Sequence, residues 1–172
     1  MLPAVTDDLV RRMVQASELH GDFVLSSGRR STVYFDKFMF LTDPALLRDV
    51  ARAVAALVPL EADHLAAPEG AATLLVAAVS LETDLPAAVV RKEPKAYGTR
   101  SHVEGHAPSG ANAVLVEDVS TTGQQALLAA RVLEASGVKI ARIVLAIDRG
   151  GADHLREAGY DVEAVAVLRP SG

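Results

Sequence analysis

A chain of 172 residues with 50% hydrophobic side chains and a net charge of −5 is sized for one domain with a real core, and too apolar for disorder. It has no cysteine, which excludes a disulfide framework, a thiolate metal centre and a cysteine nucleophile. A pI near 5.5 speaks against a general nucleic-acid binder, and no window of about 18 residues is free of charge, as a membrane span requires. The charged start, with Asp7, Asp8, Arg11 and Arg12, does not read as a secretory leader, so a cytoplasmic location without membrane or nucleic-acid partners is expected. Ala alone supplies 30 of the 172 residues, which predicts tight helix-on-sheet contacts in place of an aromatic core.

Leu9, Val10, Met13 and Val14 repeat at helical spacing, predicting a helix over residues 6–19 that Gly21 stops. Phe23, Tyr34, Phe35, Phe38 and Phe40 then crowd a segment with Ser-Ser-Gly at its centre, which reads as hairpin-like or irregular. Asp43-Pro44 opens a helix through about residue 57. Beyond it the pattern alternates. Strands are expected at 62–66, 87–90, 113–116, 140–147 and 162–168, and helices at 72–81, 123–136 and 152–158. Apolar strands alternating with helices predict an α/β fold, a central parallel sheet covered on both faces. Residues 93–110, rich in Gly and Pro, form a long loop, and such loops are more often functional than decorative.

The run Val114 to Gly123 carries the most chemistry. A buried strand leads into Glu117 and Asp118, then into Ser120-Thr121-Thr122-Gly123 and a helix. In open α/β sheets ligands sit at the carboxyl ends of strands, and a turn feeding a helix N-terminus favours an anion such as phosphate. Two acids beside a phosphate site suit sugar hydroxyls or a Mg²⁺ ion. Taken alone, the turn could also be a plain helix cap, the lesser of the two readings. These ten residues resemble the phosphoribosyl-diphosphate (PRPP) motif of type I phosphoribosyltransferases.

Two further segments narrow the resemblance. Arg91-Lys92-Glu93-Pro94-Lys95-Ala96-Tyr97-Gly98 gathers three cations after a buried strand, and resembles the Arg-Lys-Glu-x-Lys-x-His-Gly loop of the orotate phosphoribosyltransferase family, with Tyr97 in place of the His. Tyrosine can donate a hydrogen bond there but carries no positive charge at neutral pH. Phe23 through Asp36 resembles that family's N-terminal hood signature, with Ser26 where the family commonly has Lys. Arg149, in Asp148-Arg149-Gly150, ends another strand and matches an Arg that contacts the carboxylate of orotate. The loop Pro68-Glu69-Gly70-Ala71 matches a diphosphate loop by position only.

The resemblance implies a type I phosphoribosyltransferase fold over residues 1–172, with about 1–40 forming the hood and about 41–172 the core. It implies transfer of the phosphoribosyl group from PRPP to orotate, with Lys95 and Asp118 as the catalytic residues. PRPP is expected at Arg91, Lys92, Lys95, Tyr97, Glu117, Asp118, Val119, Ser120, Thr121, Thr122, Gly123, Gln124 and Gln125. Orotate is expected at Ser26, Ser27, Gly28, Tyr34, Phe35, Thr121 and Arg149. Mg²⁺ is the implied cofactor, held mainly by PRPP and near Asp118, and the implied assembly is a homodimer whose loop 93–110 reaches the neighbouring site. Two alternatives stay open: a phosphoribosyltransferase for another nucleobase, and a non-catalytic PRPP-sensing regulator. His102 and His106 read as surface residues, and His20, His64 and His154 as isolated ones.

Overall fold

The computed structural model describes residues 7–24, 28, 30–93 and 102–168. Helix α1 (Asp7–Ser17) buries Leu9 and Met13 and passes without a break into strand β1 (Glu18–Val24). The helix therefore ends earlier than expected, and Gly21 is not its stop. Cross-strand pairing takes over at Glu18↔Phe35, and Gly21 falls where the β1 register shifts between His20 and Phe23. Strand β2 (Arg30–Phe35) completes an antiparallel hairpin. A short helix that the aromatic spacing did not announce follows, α2 (Lys37–Leu41), capped by the Asp36 carboxylate accepting from the Phe38 amide at 3.0 Å. It buries Phe40 and Leu41.

Helix α3 (Pro44–Ala55) starts as expected. Asp43 accepts from the Ala45 and Leu46 amides at 3.0 and 2.8 Å, and Pro44 sits where an amide would have no helical partner. The core then runs β3 (His64–Pro68), α4 (Ala72–Thr83), β4 (Ala87–Val90), β5 (Val103–Gly105), β6 (Asn112–Ser120), α5 (Gln124–Ala135), β7 (Lys139–Asp148), α6 (Gly151–Glu157) and β8 (Val162–Val167). The six strands are ordered β5-β4-β3-β6-β7-β8, parallel except for β5. Strand β5 lies inside the expected 93–110 loop. Only its pairing with β4 makes it a strand, and Gly105 packs so closely that an added Cβ would lie 2.8 Å from the Ala87 carbonyl.

Alternation along the strands builds two apolar layers. Leu65, Ala67, Val114, Val116, Val144 and Ala146 face one side, against α3 and α4 with Met13 and Phe40. Ala66, Ala113, Leu115, Ile143 and Leu145 face the other, against α5 and α6. Small side chains let the helices approach closely, as the alanine content implies. The chain moves outward from β3 to β4 and then returns to place β6 on the other side of β3, so the topological switch lies between β3 and β6. Among the described residues no helix is long and apolar enough to cross a membrane.

One histidine departs from its expected surroundings. His64, at the start of β3, is not isolated: its Nδ1 donates to Asp63 at 2.7 Å and its Nε2 lies 3.0 Å from Nδ1 of His106. The two rings are nearly parallel, at 9°. The return of the chain after β5 brings them together, which local spacing cannot report.

Candidate active site

Strand β6, in the interior of the sheet, carries the acid pair near its carboxyl end. Glu117 and Asp118 are 3% and 0% exposed. Burial, then the neighbouring Asp118 charge, pushes the Glu117 carboxyl up to about 8, with Lys37 opposing the rise. This environment favours the protonated form of Glu117, while Asp118 faces the ammonium of Lys37, 3.1 Å from Oδ1 and 3.0 Å from Oδ2. Lys37 is a site residue that motif reading missed. It belongs to α2, far away in the chain, and no local pattern connects it with the acids.

After Ser120 the chain turns through Thr121, Thr122 and Gly123 into α5. Thr121, Thr122 and Gln124 are exposed, Gln125 and Val119 half-buried, and Ser120 and Gly123 buried. Gly123 takes a left-handed conformation (φ +76°) and has no room for a side chain, since a Cβ would meet the Gly151 carbonyl at 2.6 Å. Gly123 offers no side chain to cap α5, and the Gln124 amide donates to the Thr122 hydroxyl oxygen at 3.4 Å. Exposed Thr121 and Thr122 beside the start of α5 offer hydroxyls and helix-end amides to an anion.

The cations sit across from this turn. Arg91 is half-buried and Lys92 exposed. Together with Pro68, Val90, Thr122, Gln124, Gln125 and the α5 side chains of Leu128, Ala129 and Val132 they line a cleft of about 510 Å³. Glu69 organises this side. Its carboxylate accepts from the Lys92 amide at 2.8 Å and lies 3.9 Å from the Arg91 guanidinium, while its carbonyl accepts from Gln125 Nε2 at 3.4 Å. The loop at residues 68–71, matched earlier by position only, thus contacts the cation segment directly.

A second cleft of about 340 Å³ is lined by Glu18, Ser31, Val33, Tyr34, Phe35 and Arg149. The Arg149 guanidinium stacks 5.1 Å from the centre of the Phe35 ring. Its amide donates to the Ser120 carbonyl at 2.8 Å, which ties this strand end to the acid-pair strand. Asp148 caps the following turn by accepting from the Gly150 and Ala152 amides. Tyr34, Phe35 and Arg149 are therefore brought together as expected, and Glu18 joins them without having been anticipated. Gly28 lies between the hairpin strands (φ +79°) and lines neither cleft. Ser26, Ser27, Lys95 and Tyr97 lie outside the described residues.

The phosphoribosyl transferase domain model matches residues 39–165. The chain is 42% identical over 160 residues to the orotate phosphoribosyltransferase of Thermococcus gammatolerans, covering 90% of this chain and 85% of the relative. It is 42% identical over 147 residues to that of Archaeoglobus fulgidus, covering 84% and 83%. Among solved structures, Aeropyrum pernix orotate phosphoribosyltransferase superposes with a TM-score of 0.74 at 32% identity over 92% of each chain. The Mycobacterium tuberculosis orotate phosphoribosyltransferase complex with Fe(III) dicitrate superposes at 0.82 with 27% identity, over 94% of this chain and 95% of that one. Alike in sequence over most of its length and in fold, the chain belongs to the orotate phosphoribosyltransferase family.

Proposed function

We propose that the protein transfers the 5-phosphoribosyl group of PRPP to orotate, giving orotidine 5′-monophosphate and diphosphate in pyrimidine biosynthesis. The observation that carries this reading is that the strand bearing the buried acid pair runs on into the turn that lines one cleft and is tied, through the Ser120 carbonyl, to Arg149 of a second, unlike cleft. One is lined by Arg91, Lys92, Thr122, Gln124 and Gln125, with apolar α5 side chains beside them. The other is walled by Tyr34 and Phe35 and closed by Arg149. A ribose held at Glu117 and Asp118 presents its 5′-phosphate to the turn and its diphosphate to the cations. Its C1 then faces the aromatic cleft, where Arg149 meets the carboxylate of a planar base.

In the reaction the C1–oxygen bond to diphosphate breaks and a bond from C1 to the ring nitrogen of orotate forms, through an oxocarbenium-like state. The protein contributes positioning and electrostatics. Arg91, Lys92 and Lys95 balance the charge of the departing diphosphate. Asp118 faces the positive charge that develops on the sugar, and Glu117, whose protonated form is favoured by burial, can donate as well as accept a hydrogen bond. Magnesium fits this donor set: a hard cation is bound through one or two carboxylates plus substrate phosphates, and Asp118 supplies a buried carboxylate at the ribose end. When bound, the ion neutralises part of the charge of PRPP. The reading extends to a homodimer in which the 93–110 loop of one copy reaches the site of the other.

Ultraviolet absorbance of orotate, followed with PRPP and Mg²⁺ and with uracil, adenine and hypoxanthine in parallel, tests the proposal. PRPP-dependent loss of orotate is the expected result. Turnover of another base in its place, or PRPP binding with no turnover at all, overturns it in favour of a different base or a regulatory role.

A further inference from the structure

The Asp118 carboxylate is wholly buried, and among the described ion pairs Lys37 is the one that reaches it. The two oxygens differ. Oδ1 accepts from Lys37 and from the Val119 amide, the latter at 2.6 Å. Oδ2 makes no hydrogen bond within the described residues, although the ammonium lies 3.0 Å away. The Lys37 side chain is 36% exposed, so it stands between a buried acceptor and solvent. Its backbone is fixed, because Lys37 opens α2 just after the Asp36 cap and the Asp36 amide donates to the Ser17 carbonyl at 2.8 Å. Its four-carbon stem is free to swing.

A hydroxyl reaching Oδ2 must take the place that this ammonium holds. We propose that Lys37 is a displaceable counter-ion, occupying the ribose-hydroxyl position of the acid pair in the ligand-free protein and yielding it to the sugar of the phosphoribosyl donor. The inference rests on the proposed function, since it needs a ribose at Glu117 and Asp118. Its physical basis is that a buried carboxylate without a partner is costly, so the empty site needs an internal cation. The paired state does not bind the sugar, and the apparent affinity for the donor falls by the fraction of molecules in that state. Lys37 is thus a positioning residue that acts through Asp118.

The experiment compares wild type, Lys37→Met and Lys37→Arg by titration calorimetry with PRPP and Mg²⁺, and by thermal unfolding with and without PRPP. Displacement predicts that Lys37→Met lowers the midpoint of the ligand-free protein, enlarges the PRPP-induced upward shift, and tightens PRPP binding by about threefold or more. Lys37→Arg keeps the pair and stays near wild type. Lys37→Gln serves as a milder replacement if the Met variant does not fold. An equal loss of stability with and without PRPP means that the pair is never exchanged, and overturns the inference. Weaker PRPP binding in Lys37→Met means that Lys37 contacts the donor directly, and overturns it too. Wild type that does not bind PRPP removes the functional reading along with the inference, whereas wild type that binds and turns over orotate while Lys37→Met fails these tests removes the inference alone.

Discussion

Arg149 and Phe35, far apart in the chain, meet with the guanidinium carbon over the aromatic ring, 5.1 Å from its centre. The contact joins the carboxyl end of β7 to the hairpin strand β2. A cation over an aromatic face contributes about 0.5–2 kcal/mol and leaves the edge of the guanidinium free for a bidentate partner.

Arg149→Ala is expected to raise the Michaelis constant for orotate by about tenfold or more, with the PRPP constant little changed. Arg149→Lys should recover only part of the loss, because an ammonium neither stacks nor forks. Steady-state kinetics with each substrate varied in turn checks this. An unchanged orotate constant removes Arg149 from carboxylate recognition.

Lys95→Ala is expected to lower the turnover number by about a hundredfold while changing PRPP affinity by less than about threefold. A cation that meets charge developing on the leaving diphosphate acts in the transition state more than in the ground state. Equal losses in turnover and in calorimetric affinity would count against that role.

Glu117 links stability to pH. Its carboxyl has an ordinary value of 4.5 and is pushed up to about 8 by burial and by Asp118. The unfolded chain therefore ionises this group from about pH 4.5 upward while the folded protein keeps the proton. This site thus costs the fold increasing stability as pH rises from about 4.5 to 8, after which the cost levels off. Glu117→Gln removes the titration. Its melting temperature relative to wild type should climb between pH 5 and pH 8, as followed by circular dichroism, and a difference that stays flat with pH would remove the buried proton from the account.

Gly123→Ala tests the turn. A left-handed backbone at φ +76° and a Cβ placed 2.6 Å from the Gly151 carbonyl make even one methyl group a strain on the contact between the β6–α5 and β7–α6 turns. A loss of about 1–3 kcal/mol is expected, read as a fall of several degrees in the melting midpoint. PRPP affinity should weaken as the α5 amides shift. A fully stable variant with normal affinity would mean that the turn is softer than its packing implies.

Where a signal is local, the sequence carried it by itself. An apolar run ending in Glu117-Asp118 and followed by Ser120-Thr121-Thr122-Gly123 specifies strand, acids, turn and helix in that order. Each step follows from side-chain alternation and backbone freedom within ten residues. Asp43-Pro44 marks a helix start for the same kind of reason, and Arg149 stands at a strand end because the apolar run before it stops at Asp148.

The tertiary structure decided everything that depends on distant pairing. Three residues become strand β5 only because β4 offers them an edge. The helix at the amino end stops at Ser17 because the hairpin partner Phe35 claims Glu18. His64 finds His106 across the return from β5. Lys37 reaches Asp118, and Glu69 meets Arg91 and the Lys92 amide, across gaps that no periodicity spans. Propensity and spacing act over a few residues, whereas buried charge is balanced by whatever the folded chain brings within about 4 Å, and that partner is selected only when the sheet closes.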